Sequence, residues 1–256
     1  SEHHRSGGEN HDQAEDHRKK SLIQGIFLQK NIYKFDYIDG YYSIVDDGSG
    51  NWRIKFLTSG TFKSSSNLMI DAFLVGGGGG GASNFGGGGG GGYTSTTFAK
   101  IVANKEYKIN IGSGGKGTLS STTATNGGNT TAFNSIAFGG EAGGNGSWSS
   151  DTSSSAGVGG TGGSGGGGGK SGKGGSNGGN AIDSKSGKFN GGIGQGVTTC
   201  EFGASSCSYS EGTLYSGGGG GGDNGIAGSG GGGAGGTRSD AGATNGSVGI
   251  SNTGGG

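Results

Sequence analysis

Two glycine runs, at 76–81 and 86–92, flank a four-residue insert, ASNF, and are entered directly from an apolar segment ending at Val75. Further runs follow at 165–169, 217–222 and 230–233. Glycine loses more backbone freedom on folding than any other residue. Such runs therefore stay unstructured unless many partners hold them at once. Two architectures meet that constraint: a flexible linker, or polyglycine II helices packed side by side. The second has the three-residue turn and ~3.1 Å rise of polyproline II, with its N–H and C=O groups pointing sideways. Without Cβ atoms, such helices can approach until neighbouring backbones pair.

Composition favours the second reading. Of 256 residues, 73 are Gly and none is Pro, against an ordinary glycine share of about 7%. Collagen needs proline and a strict G-X-Y repeat, and both are missing. Proline would delete a lateral donor, so its absence suits a chain held by its own amides. From Gly157, Val158, Thr161, Ser164, Lys170, Lys173 and Ser176 fall on one period of three. A threefold helix places them in a single row. Asp223, Ile226 and Ser229 repeat the spacing, with Asn224 and Ala227 in a second row.

Strand-like segments are threaded between the runs. WRIKF at 52–56 alternates in period two, the mark of a half-buried strand. LMIDAFLV at 68–75 is β-prone throughout. Residues 93–102 and 107–111 read as a hairpin around 103–106, and 129–133 with 136–140 as a second strand pair. The expected class is mostly β: a small antiparallel β-sandwich with a bundle of polyglycine II helices.

The N-terminal part differs. Residues 1–20 interleave acids and bases and hold His3, His4, His11 and His17. They read as a solvated tail or a short helix from about Asn10; the histidine spacing matches no metal-ligand pattern. Residues 21–45 are rich in aromatic and β-branched side chains. Residues 1–45 are assigned as a tail and attachment segment, and 46–256 as the glycine-rich domain. Ile26, Phe27, Tyr33, Phe35 and Tyr37 are candidates for joining copies. The alternative is that this segment completes the chain's own sheet.

Residues 181–216 recover side chains between glycine runs and read as an excursion mounted on the scaffold, where recognition tends to reside. Phe202, Tyr209 and Tyr215 are binding candidates there, with Trp148 on a separate excursion. Cys200 and Cys207 are assigned to a local disulfide, which implies an oxidising compartment; two free thiols are the alternative. N-x-[ST] sequons stand at Asn129, Asn145 and Asn245, relevant in a eukaryotic secretory setting.

Catalytic and ligand motifs fail in turn. The 18 Lys and Arg balance 18 Asp and Glu, which argues against a nucleic-acid partner. No apolar run is long enough to span a membrane. GSGGKG at 112–117 lacks the G-x-x-x-x-G-K-[ST] of a phosphate loop. Asp183, Glu201, Glu211 and Asp223 form no acid–base motif. No enzyme activity, cofactor or metal is expected.

Four stretches taken together carry a resemblance: WRIKFLTSGTF at 52–62, MIDAFLVGGGGGG at 69–81, YKINIGSGG at 107–115 and TTAF at 130–133. Their order resembles the glycine-rich domain of phage tail proteins. A similar module occurs in anaplastic lymphoma kinase receptor ectodomains. Where that family closes with a G-I-V-I-I-R strand, this chain has SVGIS at 247–251. The resemblance implies a β-sandwich carrying polyglycine II helices, without enzymatic activity. Two roles follow as expectations: a structural and adhesive subunit of an extracellular fibre built of identical copies, or a phage tail-tip adhesin for a host-surface glycan or protein. Both place the protein outside the cell, on a cell surface or a virion tail.

Overall fold

A computed structural model of the chain describes residues 37–46, 52–83, 86–118, 123–146, 157–169, 173–175, 191, 214–222, 225–236, 238–239 and 242–256. Among these, regular structure is all strand: β1 (Tyr37–Ile38), β2 (Tyr42–Asp46), β3 (Trp52–Phe56), β4 (Gly60–Lys63), β5 (Leu68–Val75), β6 (Thr94–Ile101), β7 (Glu106–Ile109), β8 (Thr130–Ala132), β9 (Ser135–Ala137), β10 (Arg238–Ser239) and β11 (Gly242–Ala243). They form small antiparallel sheets: β1-β4-β7, and the pairs β2-β3, β5-β6, β8-β9 and β10-β11.

The core follows from period-two patterning. On β5, Leu68, Ile70, Ala72 and Leu74 turn inward, while Met69 and Asp71 are exposed. On β6, Ala99 and Ile101 are buried, and Phe98 and Lys100 face outward. Phe62 of β4, Ile109 of β7, Ala132 of β8 and Ala137 of β9 complete the buried cluster. Ile38 and Ile44, from the segment assigned to attachment, also pack against it.

The expected strand pair 129–140 is β8-β9, closed by Phe133 and Asn134 at φ 50° and 61°. Two consecutive left-handed residues make the tight hairpin turn that matches strand twist. Phe133 turns its ring onto Phe62, edge-on with centroids 6.4 Å apart, and onto Tyr107 at 5.7 Å.

The hairpin expected around 103–106 is not formed. β6 pairs with β5 from Leu68↔Ile101 to Val75↔Thr94, and β7 pairs with β4. The connection crosses between sheets instead. Ala103 N–H donates to Asn67 Oδ1 (2.8 Å) and Asn104 N–H to Ser64 O (2.7 Å), tying it to the connection from β4 to β5. A hairpin would satisfy the same alternation of side chains. Facing Ile101 and Ile109 across a shared core decides between the two, and only the assembled layers supply that term.

Candidate functional site

The sheets do not stop where the glycine runs begin. The β5-β6 pairing ends at Val75↔Thr94, and the same register carries on. Gly76 N–H donates to Tyr93 O (2.9 Å), Gly79 N–H to Gly90 O (2.8 Å) and Ala82 N–H to Gly87 O (2.9 Å). The bonded position now recurs every third residue. A second pair behaves alike. Asn110 and Thr131 exchange backbone bonds, Gly128 N–H donates to Ser113 O (2.8 Å), and Thr125 N–H to Lys116 O (3.0 Å). Each β pair thus feeds its chains into a glycine bundle already aligned.

The segment 86–92 lies inside that bundle. Gly87 and Gly90 N–H donate to Gly144 and Glu141 carbonyls, Gly88 and Gly91 to Gly167 and Ser164, and Gly92 to Gly254. Its carbonyls accept from other segments: Gly87 and Gly90 from Ala82 and Gly79, Gly88 and Gly91 from Gly160 and Gly163, and Gly89 from Gly219. Successive residues point to different neighbours and every third returns to the same one. A two-residue pleat cannot do this; a three-residue turn can.

Steric space is the reason for glycine here. Among the described glycines, positive φ occurs at Gly40, Gly230, Gly231 and Gly254, all outside the runs at 76–81 and 86–92. An added Cβ at Gly79 would lie 2.0 Å from Glu141 O, and at Gly89 2.0 Å from Gly79 O. Side chains are admitted where a row faces outward: Val158, Ile226 and Ser229 are exposed. The single row expected from 158 to 176 is broken. After Ser164, which is buried, the chain folds back, with Gly166 N–H on Gly160 O (2.8 Å) and Gly169 N–H on Gly157 O (2.6 Å). Antiparallel return lets one stretch supply two neighbours of 86–92, a gain invisible to periodicity.

The segment SVGIS at 247–251, which stands where the resembled family has its closing strand, joins the bundle. Ser247 N–H donates to Ala234 O (2.9 Å) and Ile250 N–H to Gly231 O (2.7 Å), leaving Val248 91% exposed. Gly256 N–H donates to Gly217 O, and its own carbonyl accepts from Gly233 N–H.

Between sandwich and bundle runs a groove of about 1660 Å³, lined among others by Phe56, Met69, Phe73, Tyr215, Val248 and Ile250. This exceeds the roughly 300–1,000 Å³ of small-molecule pockets. Tyr215 meets Phe73 edge-on, centroids 5.7 Å apart, and Lys55 Nζ lies 5.7 Å from the Tyr215 ring centroid. Sequence reasoning singled out Tyr215 and missed Phe73 and Lys55. Both read as ordinary strand residues, and their meeting with Tyr215 spans a separation that no local pattern encodes. Trp148, Phe202, Tyr209, Cys200 and Cys207 lie outside the described residues, as do Ile26, Phe27, Tyr33, Phe35 and the helix expected from Asn10. The backbone of Tyr37 pairs with that of Lys63.

Among the described residues, no cluster of His, Cys, Asp and Glu has the geometry to hold a metal, and no helix is long and apolar enough to cross a membrane. What the geometry defines is a β-sandwich merged with a laterally bonded glycine scaffold. A family model described as a glycine-rich domain matches residues 57–256, and the chain belongs to that family. No curated protein and no solved structure matches it.

Proposed function

We propose that this protein is a non-enzymatic structural and adhesive subunit of an extracellular fibre, its glycine segments forming polyglycine II helices. The observation that carries the reading is the three-residue recurrence of backbone bonds around 86–92, with no room for a side chain between the partners. Lateral bonding of this density stiffens a protein without a large apolar core. Copies then join through the N-terminal apolar segment, including Ile26, Phe27, Tyr33 and Phe35. Removal of residues 1–36 tests this, because it spares β1 and β2, which pair with β4 and β3. Filaments in electron micrographs of the full chain and folded monomers of the shortened one are expected. Filaments from both would exclude joining through this segment.

A second reading, a phage tail-fibre tip adhesin, is favoured by the aromatic groove. Tyr215 and Phe73 supply flat apolar faces, and Lys55 supplies a charged rim for a host-surface glycan or protein. Tyr215→Ala is expected to weaken adsorption to host cells while the thermal midpoint stays within a few degrees. Unchanged adsorption counts against that reading and leaves the fibre reading standing.

A further inference from the structure

Of the six Asn-Gly pairs in the sequence, those at Asn126 and Asn245 differ in how their reacting groups are held. At Asn126–Gly127, the Asn126 Oδ1 accepts from Ala142 N–H (2.9 Å), and Gly127 N–H donates to Gly140 O (2.9 Å). Both glycines lie against neighbouring backbone: an added Cβ would be 2.0 Å from Gly77 O at Gly127 and 2.7 Å from Ala234 O at Gly246. At Asn245–Gly246, both residues are exposed. Among the described residues, neither the Asn245 side chain nor the Gly246 amide has a hydrogen-bond partner. Asn126 is exposed as well, so the two sites differ in tethering and not in contact with water.

We propose that Asn245 is a site of spontaneous deamidation and isoaspartate formation, and that Asn126 is protected from it by the fold. Glycine has no Cβ to shield its amide, so Gly246 N can reach the Asn245 side-chain carbonyl carbon. The N–Cγ bond forms, the Gly246 amide proton passes to solvent base, and the Cγ–Nδ2 bond breaks with release of ammonia. Water then opens the cyclic imide. Cleavage of the N–Cγ bond gives aspartate; cleavage of the original peptide bond gives isoaspartate. No oxidant or reductant is needed. At Asn126 both reacting groups are held by other partners, and rotation into the ring requires local opening of the bundle.

The isoaspartyl product inserts one carbon into the main chain just ahead of Ser247. Ser247 is bonded twice to Ala234, through its own N–H and through Oγ, which accepts from Ala234 N–H (2.7 Å). Three residues on, Ile250 bonds Gly231. A lattice with a strict three-residue recurrence cannot absorb that carbon, so the rim segment 244–250 detaches.

The test ages the folded, full-length chain at mildly alkaline pH and follows Asn245 and Asn126 by mass spectrometry after trypsin cleavage, with fragment ions assigning each site because peptide 117–170 carries Asn145–Gly146 as well as Asn126. Deamidation at Asn245 is expected to outpace that at Asn126 by at least ~10-fold, equivalent to about 1.4 kcal/mol of opening cost. In denaturant the two rates should converge. Equal rates in the folded chain would overturn the proposal, as would an unchanged ratio in denaturant. Asn245→Asp supplies the same charge without the added carbon. It should keep slow amide exchange at Ser247 and Ile250, whereas the isoaspartyl form should lose it. Equal protection in the two forms would refute the detachment.

Discussion

Substituting Gly89 by alanine separates a scaffold from a slack linker. The new Cβ would lie 2.0 Å from Gly79 O and 2.4 Å from Gly79 C. Ordinary carbon–oxygen approaches are roughly 3.3–3.6 Å, so segments 76–82 and 86–92 must part by more than ~1 Å. Gly79 N–H sits 2.8 Å from Gly90 O, and Gly219 N–H sits 2.8 Å from Gly89 O. Neither bond survives that displacement. Each buried backbone group left unpartnered costs about 1–3 kcal/mol, so Gly89→Ala should destabilise by about 3–6 kcal/mol. That is a large part of the 5–15 kcal/mol typical of a whole domain. Gly81→Ala is the matched control, because the nearest atom to its added Cβ is Gly87 O at 3.9 Å. It should be neutral or stabilise by up to about 1 kcal/mol through the unfolded chain. Guanidinium denaturation of the three proteins measures both shifts. The reasoning fails if Gly89→Ala and Gly81→Ala both fall within about 0.5 kcal/mol of the parent, as solvated linker positions would.

Ser216 sits at φ 62°, fully buried, with Oγ lacking a hydrogen-bond partner. Ser216→Gly removes both costs and should raise stability by about 1–2 kcal/mol, read as a higher thermal midpoint; a lower one would mean that the hydroxyl is used. Thr130 Oγ1 donates to Val75 O (2.6 Å) and accepts from Gly112 N–H (3.0 Å) where the sheets pass into the bundle. Thr130→Val should cost about 2–4 kcal/mol by denaturation, and a neutral result would show that water replaces the hydroxyl. Removing Gly254, Gly255 and Gly256 strips the acceptors of Gly92 N–H and Gly233 N–H. Amide exchange at those two residues should accelerate while that of Ile101 in the sandwich is retained; loss of protection throughout would mean that bundle and sandwich unfold as one unit.

Local rules made much of the fold legible in the sequence. Alternation in 52–56 and 68–75 announced strands, because a pleat turns successive side chains to opposite faces. Strand β5 has the bounds expected of it, and the pair 129–140 is present as β8-β9. Glycine content without proline pointed to backbones meeting one another, because both features concern groups every residue carries. Which backbones meet was not legible. In a run of identical residues no side chain marks a register, so nothing local distinguishes Gly89 from Gly90 as the acceptor for Gly219. The β hairpins set that register from outside: Val75↔Thr94 fixes Gly76 on Tyr93, and bonds recur at every third residue from there, Gly79 on Gly90 and Ala82 on Gly87. The fold-back at Ser164 and the docking of 247–251 on the bundle were decided by packing, since each fills a neighbour position that exists only once the other segments are in place. The groove follows the same rule. Tyr215 could be noticed as a large side chain among glycines, but Phe73 and Lys55 meet it only in the assembled fold, across more than 140 residues of sequence. Sequence determined the kinds of backbone this protein is made from; tertiary structure chose their partners, because lateral hydrogen bonds between glycines are chemically identical and only position tells them apart.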